Sequence, residues 1–526
     1  MLFRSPKLQA YPPIFSLTPK ASGSTRLQSC EDKVFNSLIY RKKEKMKLYH
    51  YRSISSALLE IENGTFHFAS KEELNDPLEG FVRVFWQGDK MAWEGLFRHY
   101  IYSVARALEL YILKADNETL YHGTLVADVH CYKNNFFEKI LLKLGEEFIT
   151  DTDVQNLAGV YGDNCLKVSE KELQYILFYI HNNALIRCLE EFKKNKFVPA
   201  EEAEKQIKLL NFSLSVEKLV DAIKKVFSNE KMRVQTIESM EEIFEEMKEF
   251  SYIMKGAEND IFLHGKGSEE QIYNNDGNSV VQQHRKWLIV MADFPKVFVA
   301  QLRDMIYPKS YVVCFSKKND NSAMWGNYAD CHKGVCLIYD TGDEAKLKVG
   351  GRHIPLDVRA ISYGGESIEC NFFQTLGRLT MVQIREWLLG VDGVSSCYEA
   401  FSDVEEWRKR YWKIYDAKTY RKTKNWEHEK EFRVAVSNTF GEFDVPQKQN
   451  MSFDWNLLKG VIFGIRTSEY DKKQILAKLI KHKDELSDFT FYQAEYSAEE
   501  QKIKIRKKKF WRLINYKGKV DGTEKV

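Results

Sequence analysis

Lys47-Leu48-Tyr49-His50-Tyr51-Arg52 is the stretch on which the reading of the fold turns. Apolar and polar side chains alternate along it and tyrosine is frequent, the pattern of a half-buried strand. Ser53 follows as a helix cap, with Ile54, Ala57, Leu58 and Ile61 on one helical face and Asn63-Gly64 as the stop. Residues 65–70 have strand character again. Asn75-Asp76-Pro77-Leu78-Glu79 then reads as a turn with Asp76 as its cap.

Further along, the period changes from two to three or four. Amphipathic helices are expected at about 91–114, 134–148, 169–195, 200–211, 215–228, 233–257 and 280–304. Ser169 with Glu172 forms a capping box at the head of the third. Strand character returns at 311–316, 335–340, 432–436 and 460–464. The expected fold is therefore α+β. A mixed or antiparallel sheet module, discontinuous in sequence at 46–88 and 305–495, is split by a large helical insertion at 89–304.

The two ends read differently. Residues 1–45 carry Pro6, Pro12, Pro13 and Pro19, and Arg41-Lys42-Lys43-Glu44-Lys45 precedes Met46. They are expected to be a leader outside the fold, with Met46 as the working start. Residues 496–526 are a basic tail holding Lys502, Lys504, Arg506, Lys507, Lys508, Lys509 and Arg512 around Phe510 and Trp511. A solvated terminal helix is expected there, with nucleic-acid binding as the other reading.

Composition narrows the classes. Across 526 residues, 44% hydrophobic and 29% charged is ordinary globular usage. The 78 basic and 75 acidic residues nearly cancel, so no whole-chain field draws it to DNA or a membrane. The nine cysteines are scattered without a C-x-x-C pair, which points to free thiols, a cytoplasmic location and no metal. No run of 18 apolar residues suggests a membrane span.

Four blocks in order resemble the 2971 family of domains of unknown function. The first is Tyr49-His50-Tyr51-Arg52-Ser53 leading to Asn63-Gly64 and Leu74-Asn75-Asp76-Pro77. Cys314-Phe315-Ser316 follows, continuing through Met324-Trp325-Gly326-Asn327-Tyr328-Ala329 to His332-Lys333-Gly334. The third holds Lys422, Trp426 and Glu429-Lys430-Glu431-Phe432-Arg433, and the fourth is Lys459-Gly460-Val461-Ile462-Phe463-Gly464. Leu78 departs from the pattern, as does the long insertion before the second block. The resemblance implies a bacterial protein and a role in phage defence, and supplies no reaction.

A second resemblance suggests chemistry. ADP-ribosyltransferases of the Arg–Ser–Glu type carry an arginine on an early strand, a serine on a middle one and Glu-x-Glu on a late one. Arg52, Ser316 and Glu429-Lys430-Glu431 occur here in that order. The resemblance implies NAD as co-substrate and a toxin or defence effector acting on a macromolecular target. Glu431 would stabilise the ribosyl cation, Glu429 would serve the acceptor, and Ser316 would support the glutamate or the ribose. Arg52 would grip the phosphates beside His50. Trp325 and Tyr328 would wall the nicotinamide, and His332 would reach a phosphate.

Each residue also has a plainer reading. Glu429, Glu431 and Arg433 fit a solvated strand face with a local ion pair, and Arg52 fits a structural bridge. Trp325 and Tyr328 suit a core, His50 a buried histidine, and His332-Lys333-Gly334 a turn. The alternative function is a non-catalytic sensor or scaffold that binds a protein or nucleic-acid partner.

Overall fold

The computed structural model describes residues 46–132, 135–210, 286–341, 345–439, 441–509 and 511, with scattered positions between 220 and 235. The helices expected at 215–228 and 233–257, and the first part of 280–304, fall mostly outside them, as does the leader at 1–45. The fold is α+β, and the chain divides into two compact units.

The sheet unit takes residues up to 81, 308–368 and from 414 onward. Its elements are β1 (Lys47–Arg52), α1 (Ile54–Asn63), β2 (Ser310–Ser316), α2 (Ser322–Tyr328), β3 (Val335–Asp340), β4 (Arg359–Ala360), β5 (Glu431–Ser437), β6 (Leu458–Phe463), α3 (Glu469–Lys481), β7 (Thr490–Ser497) and β8 (Lys502–Lys507). The strands make one eight-stranded sheet in the order β8-β7-β6-β3-β1-β2-β5-β4. Only the β6–β7 pair is parallel, and α3 supplies the crossover that parallel neighbours require. All other pairs in the sheet run antiparallel.

The local signals explain these elements. The Ser53 hydroxyl accepts from the Ser56 amide to start α1, and Gly64 ends it in the left-handed conformation with its N–H on the Glu60 carbonyl. Alternation along β1 sends Leu48 to one face, where α1 and α3 cover a core with Phe66, Phe315, Leu337, Tyr339, Val461 and Ile475. Tyr51 goes to the other face, where it meets Trp325 of α2 edge-on at 5.0 Å in a smaller cluster with Cys336 and Ile462.

The tail is a correction. Lys502–Lys507 is not a terminal helix but a strand, antiparallel to β7. Ile503 and Ile505 alternate with Lys502, Lys504 and Arg506, so one face packs while lysines guard the sheet edge.

The helical unit comprises Val82–Tyr307 together with Glu369–Lys413. Its helices Lys90–Ile112, Asn135–Ile149, Glu170–Lys194 and Ala200–Leu210 lie close to the expected bounds, and Thr152–Asp163 adds one the periodicity missed. The inclusion of 369–413 corrects the assignment of all of 305–495 to the sheet module. Close packing ties this segment to the helices: a Cβ on Gly95 would stand 2.0 Å from the Trp387 carbonyl oxygen. The Trp387 ring stacks on His99 at 3.8 Å and its Nε1 donates to the Ala127 carbonyl at 2.9 Å. A small sheet joins Glu369–Asn371, Arg83–Trp86 and Val168–Ser169, separate from the eight-stranded one. No helix among the described residues is long and apolar enough to cross a membrane.

Two glycines of the sheet unit give opposite expectations. A Cβ on Gly334 would lie 2.2 Å from the Arg52 carbonyl oxygen, whereas Gly326 in α2 has open space within 4 Å. Gly334→Ala is expected to lower stability by about 1–3 kcal/mol through overpacking. Gly326→Ala is expected to leave it unchanged or raise it by up to about 1 kcal/mol. Urea unfolding of the two variants measures the difference.

Candidate functional site

The end of β5 carries the largest group of buried charges in the sheet unit among the described residues. Glu429 closes a short 3-10 turn, Lys430 follows at φ 46°, and Glu431 begins the strand. That left-handed residue lets Glu429 and Glu431 both turn inward. Ser316 on the neighbouring strand fixes the turn by donating its hydroxyl to the Glu429 carbonyl at 2.7 Å, and Lys317 N–H donates to the Lys430 carbonyl. Arg433, two residues on, shares the face of Glu431.

Lys422 enters from a two-residue strand paired with Ser362-Tyr363. Its ammonium lies 2.7 Å from Glu429 Oε2, 2.9 Å from Glu431 Oε2 and 3.5 Å from Glu79 Oε2. The Trp426 ring covers it at 5.2 Å. Arg433 donates through Nε and Nη2 to Glu431 Oε1 at 2.9 and 2.7 Å, pairs with Glu79, and donates through Nη1 to the Thr419 carbonyl. Tyr328 donates to Glu429 Oε1 at 2.5 Å, and the Tyr363 hydroxyl accepts the Glu431 amide at 2.7 Å. The five charged side chains are only 2–7% exposed.

Burial and pairing compete at each group. Burial opposes the charge on Lys422, but Glu431, Glu79 and Glu429 outweigh it and hold the ammonium far above its usual range. Burial likewise opposes the Glu431 carboxylate, and Arg433 with Lys422 reverses this to a lowered pKa. At Glu79 burial prevails over Arg433 and Lys422, and its pKa is raised. Three carboxylates thus face two cations.

The expected phosphate-binding residues lie elsewhere. Tyr49 pairs with Ser316 and Ser316 with Glu431, so these three share a face. His50 and Arg52 point to the opposite face, into the core beneath α1. There the buried Glu60 receives Arg52 Nε at 2.9 Å, His50 Nδ1 at 3.0 Å and the Tyr339 hydroxyl at 2.7 Å. Burial alone would raise the Glu60 pKa, yet His50 and Arg52 bring it down to about 2. Burial lowers the pKa of His50, with Glu60 pulling the other way.

The remaining expected residues divide. Tyr328 joins the cluster, whereas Trp325 is fully buried with Nε1 bonded to the Asn319 carbonyl, a core position rather than a stacking wall. His332 ends a run of three left-handed residues, Asp330, Cys331 and His332, with its ring parallel to Trp325 at 6.4 Å. The structure thus brings Glu429, Glu431, Ser316 and Tyr328 together and separates Arg52 and His50 from them. The residues that fit an NAD substrate in sequence order do not form one cleft for it.

Sequence reasoning passed over Glu79, Lys422 and Arg433 as members of the site. Glu79 stands right after the Asn75-Asp76-Pro77 turn, and Lys422 lies in the third resemblance block, but neither position reveals its partner. Comparisons with protein-family models, with curated proteins and with solved structures find no match to this chain.

The buried pairing changes what a charge deletion should do. Glu431→Gln leaves Lys422 and Arg433 without their shared carboxylate and is expected to cost about 3–5 kcal/mol, not the small loss of a surface position. Glu79→Gln is expected to cost less, because burial already favours its protonated form. Chemical denaturation followed by circular dichroism ranks the two.

Proposed function

We propose that this chain is a non-catalytic sensor or scaffold that binds a macromolecular partner. One observation carries the reading: Glu429 and Glu431 are committed to buried cations on one sheet face, while Arg52 is committed to Glu60 on the other. Placement on opposite faces argues against one dinucleotide gripping both. The carboxylate that would stabilise a ribosyl cation is already neutralised by two cations, and opening it would leave those cations unpaired in a site from which water is excluded. The helical unit supplies the recognition surface in this reading.

A second reading is favoured by the aromatic side chains around the cluster. Tyr328, Tyr363 and Trp426 are each partly exposed and all touch Glu429, Glu431 or Lys422. An NAD-using ADP-ribosyltransferase-like enzyme, in the role of toxin or phage-defence effector, would use this rim and the Glu429/Glu431 pair without Arg52.

Incubating purified protein with NAD separates the two. The scaffold reading expects no release of nicotinamide and no calorimetric heat of NAD binding. Release that disappears in Glu431→Gln, in a variant shown to be folded, would establish the enzyme instead. Release that persists in Arg52→Ala would further locate it at the cluster.

A further inference from the structure

The chain passes between its two units at four places: 81/82, 307/308, 368/369 and 413/414. Within the sheet unit, the roots of three of these passages are tied to the same charged residues, two through their side chains and one through their backbone. The first root, which ends at Phe81, is held by Glu79 through Arg433 and Lys422. The third, which ends at Ile368, is held at Tyr363, whose hydroxyl accepts the Glu431 amide. It is held again at Gly364, whose N–H donates to the Lys422 carbonyl. The fourth is the last part of the helix Val404–Thr419, which crosses the 413/414 boundary unbroken; the Thr419 carbonyl at its end accepts Arg433 Nη1, and the chain runs on to Lys422 itself. The remaining root, at 308, lies at the far end of β2, where Ser310 pairs with Ser437.

We propose that the Lys422 cluster is a latch that fastens three of the four inter-unit passages to the sheet as one cooperative element. It goes beyond the function proposed above and holds for a scaffold or an enzyme alike. The physical case rests on sharing. Lys422 and Arg433 hold the first and fourth roots, so neither can leave without stripping a cation of a carboxylate or a carbonyl in a buried site, while the third is held by the backbone of Lys422 and Glu431, whose side chains make those pairs. Direct ties add to the shared ones. Gly80 packs against the Lys418 backbone, with room of 3.3 Å for a Cβ, and Arg421 donates to the Glu366 carbonyl at 2.7 Å. First root therefore abuts fourth, and fourth abuts third. Tension on the first or fourth is transmitted through the two cations, and tension on the third through the backbone of Lys422 and Glu431. A partner that moves one passage would release all three together, which gives a sensor a built-in threshold.

Amide hydrogen exchange on the full chain tests this. Tyr363→Phe removes a single hydroxyl at the third root and leaves every charge in place. Exchange is expected to quicken by about threefold to tenfold at 361–366, and equally at 76–81 and 415–422, with 309–313 unchanged. Lys422→Met is expected to quicken the same three segments on the order of a hundredfold or more, with β1 and β3 still protected. A Tyr363→Phe effect confined to 361–366 would overturn the latch, since the roots would then be independent. A Lys422→Met effect spread evenly over the whole sheet would overturn it too, because the cluster would then be an ordinary part of the sheet's stability.

Discussion

The ammonium of Lys422, set among Glu79, Glu429 and Glu431, is the interaction on which the sheet unit's working end depends. Three carboxylates drawn from separate parts of the chain would repel one another if they were brought together without it. With Lys422 and Arg433 in place, each carboxylate has a cation within contact distance, and the backbone around them follows. The balance is still one negative charge in excess, and burial raises the pKa of Glu79 against the pull of Arg433 and Lys422. Such an arrangement stabilises little in net terms, since desolvating five charges costs nearly what their attraction returns. Its effect is specificity: a wrong register of β5 would place Glu431 or Arg433 in the apolar core.

Strand register decides which charges share a face. Residues facing each other across neighbouring strands share a face, and a shift of one residue along a strand changes it. Arg52 is three residues beyond Tyr49, the partner of Ser316, and so belongs to the face of Leu48 and His50. There it satisfies Glu60 of α1 in a site sealed by Tyr339 and Phe315. Two charged centres result, back to back through one sheet. Each is internally neutralised to within one charge.

The helical unit shows a second kind of closure. Its long helices leave an apolar flank that residues 369–413 fill, returning from the sheet unit to do so. Gly95 allows the Trp387 backbone to approach, and the buried Glu94 carboxylate accepts the Val391 amide at 2.7 Å. A segment with no long helix of its own at that contact is thereby fixed by tight glycine contacts at Gly95 and Gly390, the Trp387–His99 stack and a few directed hydrogen bonds.

Local physics made much of this legible in the sequence. The alternation of 47–52, the Ser53 cap, the Gly64 stop and the helical period from 90 to 210 all report interactions between residues a few positions apart. The discontinuity of the sheet module followed from where strand character resumed. The spacing of Glu429, Glu431 and Arg433 suggested one shared strand face, but not that the face is buried nor that the left-handed Lys430 stands between the pair. What only the tertiary structure decided was which charges meet. Glu79 finds Lys422 across more than 300 intervening residues, Arg52 finds a helix rather than a nucleotide, and Ile503 and Ile505 make an edge strand of a lysine-rich tail. Spacing along a chain records the face a side chain takes on its own element. The partner on the facing element depends on strand order and register, which are set by the packing of the whole sheet.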